Sequence, residues 1–185
     1  MLGSSFFSLI MRSAMIKFDD LWEAHATVSG VDNPCVVNNE PAFSNQCAIR
    51  VGNALAKCGY DTSKLIGAEH CWHHAKSEGH ILRAQQLADA LKRNRPSEFS
   101  AGKSIPIKDF KKHISGQKGI IFFKDYWLRN SDPINNPTGD HIDLWNGSRL
   151  TDWSSWIRVT TGLSIEGVWS DFEKSKEIIF WRCLK

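Results

Sequence analysis

No two cysteines in this 185-residue chain are spaced as CxxC. The usual zinc-knuckle and thioredoxin-type patterns are therefore absent. Basic residues are not interleaved with aromatic ones in the manner that grips single-stranded nucleic acid. Net charge is only +3, with lysines and arginines scattered, so nucleic acid is not an expected partner. The densest basic stretch, "LKRNR" at 91–95, reads as the basic end of a helix. A mildly basic surface still suits an anionic polymer such as a cell wall. No run is long and apolar enough to cross a bilayer, so membrane insertion is not expected. The first residues, "MLGSSFFSLIMRSAM", are broken by serine and have no lysine or arginine ahead of their apolar part, which makes a poor secretory signal. Internal repeats and low-complexity tracts are lacking too. Residues 1–14 are accordingly expected to be a disordered leader or extension, and 15–185 a single domain.

What is present is ordinary globular material with two unusual blocks. Apolar residues make up 42% and charged residues 23%, enough for a core and far from a disordered profile. Eight tryptophans suggest core packing, or a groove that stacks on a sugar or peptide. Five cysteines, at 35, 47, 58, 71 and 183, leave at least one thiol unpaired. Two disulfides with one free thiol, and one reactive thiol among four inert ones, are both compatible with the spacing.

Helical spacing predicts an amphipathic helix over 18–29, a second beginning at Cys47 and stopped by Gly59, a third over 80–94 and a short fourth over 106–114. Residues 30–46 read as a loop. Strands are predicted at 118–127, on both sides of Asn146–Gly147, within "IEGVW" and at 177–184. Helices first and an antiparallel sheet second make an α+β layout.

Two blocks carry chemistry. "SNQCAIRVGNAL" (44–55) puts Cys47 at the mouth of a helix, where unpaired backbone N–H groups and the helix dipole favour a thiolate. Those N–H groups could also hold an oxyanion. Asn45 and Gln46, beside it, are candidates for lining a substrate groove or for capping the helix; Arg50, one turn on, reads as solvated. The second block, "GDHIDLWNG", ends in Asn-Gly, a strong signal for a two-residue type I′ turn. With that turn, Trp145 faces Ser148, Asp143 faces Leu150, and His141 faces Asp152, their Cβ atoms roughly 5 Å apart. A carboxylate there would fix the imidazole tautomer. Asp143, two residues from His141 on the same face, is the competing partner. Thiolate, imidazole and carboxylate, in that order along the chain, form an acyl-transfer set.

These blocks resemble the signature blocks of the type VI secretion amidase effectors, specifically the fourth amidase-effector family, over about Phe18 to the C-terminus. The resemblance implies a papain-like cysteine peptidase fold, with N-terminal helices packed on a C-terminal antiparallel sheet. It makes Cys47 the nucleophile, His141 the base and Asp152, eleven residues beyond, the third member. It implies hydrolysis of the γ-D-glutamyl–meso-diaminopimelate amide of peptidoglycan stem peptides. It further implies a cognate immunity protein, carriage by the secretion-tube protein of the type VI apparatus, synthesis in the cytoplasm without a signal peptide, and action in the periplasm of a rival cell. The alternatives are a non-catalytic wall-binding module and a papain-like acyltransferase or deamidase acting on a protein. The close set His70, Cys71, His73, His74 and His80 matches no standard zinc spacing, so no metal and no cofactor are expected.

Overall fold

The computed structural model describes residues 15–31, 33–129, 131–133, 136–151 and 172–185. The "IEGVW" strand and Asp152 lie outside the described residues. Helix α1 (Phe18–Ala24) has Asp19 and Asp20 in its first turn and stops at His25, well short of the predicted end. The loop after it contains a small hairpin, β1 (Val36–Val37) against β2 (Glu40–Pro41). Asn38 and Asn39, between these strands, both have positive φ, 53° and 67°, as a type I′ turn requires. That hairpin was missed because two strands of two residues leave no periodicity to read.

Helix α2 (Cys47–Lys57) starts and ends where the sequence puts it, with Gly59 just past its end. Helix α3 (Ala84–Arg93) carries Lys92 and Arg93 in its last turn, which suits the negative end of the helix dipole. It begins later than predicted because Ile81 is taken by an antiparallel bridge to His70. A three-residue edge strand follows, β3 (Lys103–Ile105), then α4 (Phe110–Ile114), β4 (Gly119–Trp127), β5 (Gly139–Trp145) and β6 (Glu177–Arg182).

These last strands form an antiparallel sheet in the order β3-β6-β4-β5. Central β4 is apolar on both faces because both are covered. Ile120 and Phe122 join Ile142, Leu144, Ile179 and Trp181 under α1, α2 and α3. Ile121 and Phe123 join Trp145, Ile178 and Phe180 under Phe110, Ile114 and Phe172 on the other side. Two of the tryptophans, Trp145 and Trp181, are therefore core residues, whereas Trp72 is 69% exposed.

The Asn-Gly turn differs from the expected one. Gly147 has φ 101°, but Asn146 is not in the positive-φ region. Its side-chain oxygen accepts hydrogen bonds from the Ser148 and Arg149 N–H groups at 3.0 and 2.9 Å, an Asx-type arrangement that competes with type I′ geometry. Trp145 consequently faces Leu150 rather than Ser148. Four residues, not two, make the connection. The derivation that set His141 opposite Asp152 from a two-residue turn therefore fails.

Helix α2 is locked to the 68–82 segment at a point where only glycine fits. A Cβ on Gly79 would come within 2.1 Å of the Gly52 carbonyl oxygen, and Gly79 has φ +74°. Gly79→Ala is expected to lower stability by about 3 kcal/mol, combining the strain of a left-handed alanine with overpacking. Urea unfolding checks this; an unchanged midpoint would mean that the contact relaxes without cost.

Candidate active site

The start of α2 lies against β5, the strand at the end of the sheet order. Cys47 is the first helical residue, and its N–H donates to Asn45 Oδ1 at 3.2 Å. Asn45 thus caps the helix from two residues back. Gln46 turns inward and is 2% exposed. Its side-chain amide bonds both the N–H and the carbonyl of Cys35 at 2.8 and 2.9 Å, and the Phe43 carbonyl at 3.1 Å. So engaged, Gln46 does not line a groove; it ties the preceding loop to the helix mouth.

Cys47 and His141 line one cavity at the junction of α2 and β5 and shift each other's ionisation. They are 6% and 5% exposed. Burial alone would raise the Cys47 thiol, yet it is held below its usual value by the His141 hydrogen bond and charge, the Ile142 backbone N–H and the Arg50 guanidinium. Arg50, expected in solvent, instead lines the same cavity as Cys47, together with His25, Thr27, His141, Ile142, Asp143 and Thr151. Burial likewise disfavours imidazolium at His141, but the neighbouring Asp143 and Cys47 push its pKa up to about 9. Both shifts run in the direction that favours a thiolate beside an imidazolium.

Asp143 is the carboxylate beneath this pair. Burial would raise its pKa, but His141, His25 and Thr151 together hold it low. Its Oδ2 is 3.8 Å from His141 Nε2, and its Oδ1 is 3.6 Å from His25 Nε2. Oδ1 also accepts the Leu144 N–H at 2.7 Å and the Thr151 hydroxyl. The distance to His141 is that of an ion pair and exceeds that of a direct hydrogen bond. The His141 ring stacks on Phe123 at 6.3 Å between centroids and lies 6.1 Å from Phe172.

The structure therefore joins Cys47, His141 and Asp143. Asp152 lies outside the described residues; its chain neighbour Thr151 reaches Asp143. His25, Thr151, Phe123 and Phe172 were not anticipated. His25 sits at the C-terminal cap of α1, and nothing in its local pattern marks it as facing a carboxylate far along the chain.

A second group of polar side chains lies apart from this site. Among the described residues, Cys35, Cys71 and His74 converge, as do His74, Glu78 and His80. Cys71 and His74 come from the histidine-rich stretch, and Cys35 joins them from the preceding loop. His70 takes part instead in the bridge to Ile81.

The family described as "Type VI secretion system (T6SS), amidase effector protein 4" (Tae4) matches residues 43–181. Curated protein sequences yield no match. The effector Tae4 of Salmonella typhimurium, solved with the immunity protein Tai4 of Enterobacter cloacae, superposes with a TM-score of 0.57 at 21% identity, over 91% of this chain and 99% of that one. The same effector in its own Tae4/Tai4 system gives 0.51 at 19% identity, over 91% and 98%. Tae4 of Enterobacter cloacae gives 0.50 at 19%, over 93% and 99%. The fold is the papain-like α+β fold of those effectors, and the chain belongs to the Tae4 family of type VI secretion amidase effectors.

Proposed function

We propose that this chain is a cysteine-dependent DL-endopeptidase. It cleaves the amide between γ-D-glutamate and meso-diaminopimelate in peptidoglycan stem peptides. The observation that carries the chemistry is that Cys47, at the N-terminus of α2, lines one cavity with His141 and Asp143, with the thiol held low. The family supports the substrate class.

In the proposed cycle, the Cys47 thiolate attacks the γ-glutamyl carbonyl carbon, and the carbonyl electron pair moves to oxygen. The Cys47 backbone N–H, which donates to Asn45 Oδ1 in this structure, is proposed to exchange that acceptor for the oxyanion. Collapse of the intermediate breaks the C–N bond. The His141 imidazolium gives its proton to the departing diaminopimelate amine, leaving a thioester. Neutral His141 then takes a proton from water, whose oxygen attacks the thioester. Thiolate, imidazolium and free γ-carboxylate are restored.

Asp152 is the proposed orienter of His141, on the strength of its place eleven residues beyond the histidine in the family's second block. Asp143 is proposed to supply the buried negative charge that keeps the imidazole protonated. Arg50, in the same cavity, suits a carboxylate of the stem peptide. Asn45, next but one to the nucleophile, is proposed as a groove residue. A cognate immunity protein is proposed to block this site; the solved relatives form complexes with the immunity protein Tai4. The secretion-tube protein carries the chain to the periplasm of the target cell.

Digestion of purified muropeptides under reducing conditions tests the reading. Mass spectrometry is expected to find one fragment ending in γ-D-glutamate and another with a free diaminopimelate amine. Intact stems, or cleavage at another bond, would overturn it. Lack of wall cleavage combined with modification of a cytosolic protein would point to a transferase or deamidase instead.

A further inference from the structure

We propose that Cys35, Cys71 and His74 form a binding site for a divalent transition-metal cation of the zinc class, separate from the catalytic pair. The three donor atoms already stand at the corners such an ion needs. Cys35 Sγ and Cys71 Sγ are 3.6 Å apart. His74 Nδ1 is 3.6 Å from Cys35 Sγ and 3.4 Å from Cys71 Sγ. A tetrahedral zinc site with Zn–S of about 2.3 Å and Zn–N of about 2.0 Å has edges of roughly 3.8 Å between sulfurs and roughly 3.5 Å from sulfur to nitrogen. The three distances agree with that triangle to within a few tenths of an ångström.

Charge and surroundings fit as well. Two thiolates and a neutral imidazole neutralise a doubly charged ion, which suits a site where Cys35 and Cys71 are 0% and 2% exposed. Sulfur and imidazole donors select zinc-like ions over magnesium or calcium. The His73 N–H points at Cys71 Sγ at 3.4 Å, an outer hydrogen bond of the kind that supports a metal-bound thiolate. A disulfide would need only the two sulfurs; the imidazole placed against both of them favours a cation.

The site also has a structural role to fill. It joins the 30–46 loop to the 68–82 segment, two stretches with almost no regular structure of their own. The backbone of Cys35 is held by Gln46, the residue before the nucleophile. Ile49 of α2 packs against both cysteines. A bound ion would therefore stiffen the loop that leads into Cys47.

Cobalt(II) titration of the reduced, chelator-treated full chain tests this. The expected result is a thiolate-to-cobalt charge-transfer band with strong visible bands of four-coordinate cobalt. These should saturate at one cobalt per chain and bleach when zinc is added. They are expected to vanish in Cys71→Ser, weaken in His74→Ala and persist in Cys47→Ala. Zinc should raise the melting temperature of the chelator-treated wild type. His74 is half-exposed, so its variant should fold even if the Cys71 variant does not. Absence of the bands overturns the proposal, and so does their loss in Cys47→Ala. Quantitative Cys35–Cys71 disulfide in freshly purified protein overturns it too. None of these readouts depends on wall hydrolysis.

Discussion

Cys47→Ala is expected to lower stem-peptide hydrolysis by at least about 10³-fold, since removing the nucleophile of a comparable triad costs up to ~10⁶ in kcat. The loss should come with intact folding, because the side chain shrinks by one heavy atom at the start of α2. A second change should accompany it. The thiolate is among the groups that push His141 up to about 9, so the imidazole in the variant should titrate lower, as NMR of the ring protons can follow. In the wild type, His141 has a raised pKa, so the stability its charge contributes is fully present below the ordinary value near 6.5, and the charge itself is lost as pH rises through about 9. Activity should hold through neutral pH and fall above about 9, and the imidazolium's contribution to stability should fade over the same window. A variant that still cleaves stems, or a wild type already inactive by pH 8, would refute the assignment.

The two aspartates should fail in different ways. Asp152→Ala is expected to reduce kcat by about 10²–10⁴-fold with little change in KM or in unfolding, the pattern of a lost orienting carboxylate. Asp143→Ala should cost stability first. It strips the acceptor from the Leu144 N–H and the Thr151 hydroxyl and leaves two histidines without their counter-charge. An unsatisfied buried donor costs about 1–3 kcal/mol. Its pH profile should also move, with the alkaline limb shifting below about 9, because Asp143 raises the His141 pKa. Denaturant titration and a kcat-against-pH series on both variants read this out. An Asp152→Ala enzyme with full kcat, beside an Asp143→Ala enzyme with an unshifted limb, would reverse the proposed roles.

Legibility from sequence followed distance along the chain. The start of α2 at Cys47 was readable because a polar run, a helical spacing and a closing Gly59 are all local. The order of the helices and of β4, β5 and β6 was readable for the same reason, with β4 announced by its apolar run, whereas the short strands β1, β2 and β3 were not. The length of α1 was not, because its end is set by His25 turning toward Asp143, a contact between residues more than a hundred positions apart. The Asn146–Gly147 turn was misread for a local reason that composition hides. The asparagine can use its own side-chain oxygen to satisfy Ser148 and Arg149, and the register then slips by two. Asp143 was visible beside His141 as an i, i+2 neighbour on a strand, whereas its second histidine was invisible. The Cys35–Cys71–His74 group escaped because its spacing is set by loops and by Gln46, not by a motif.

The Ile142 backbone N–H, described above as a partner of the Cys47 sulfur, belongs to the outermost described strand of the sheet. An outer strand with idle backbone groups is a template on which other chains can add. Here the group that faces Cys47 is one that would otherwise be open to such pairing. If Cys47 is the nucleophile proposed above, a helix α2 pulled away from β5 would strip the sulfur of this partner and bare an edge N–H in the same movement.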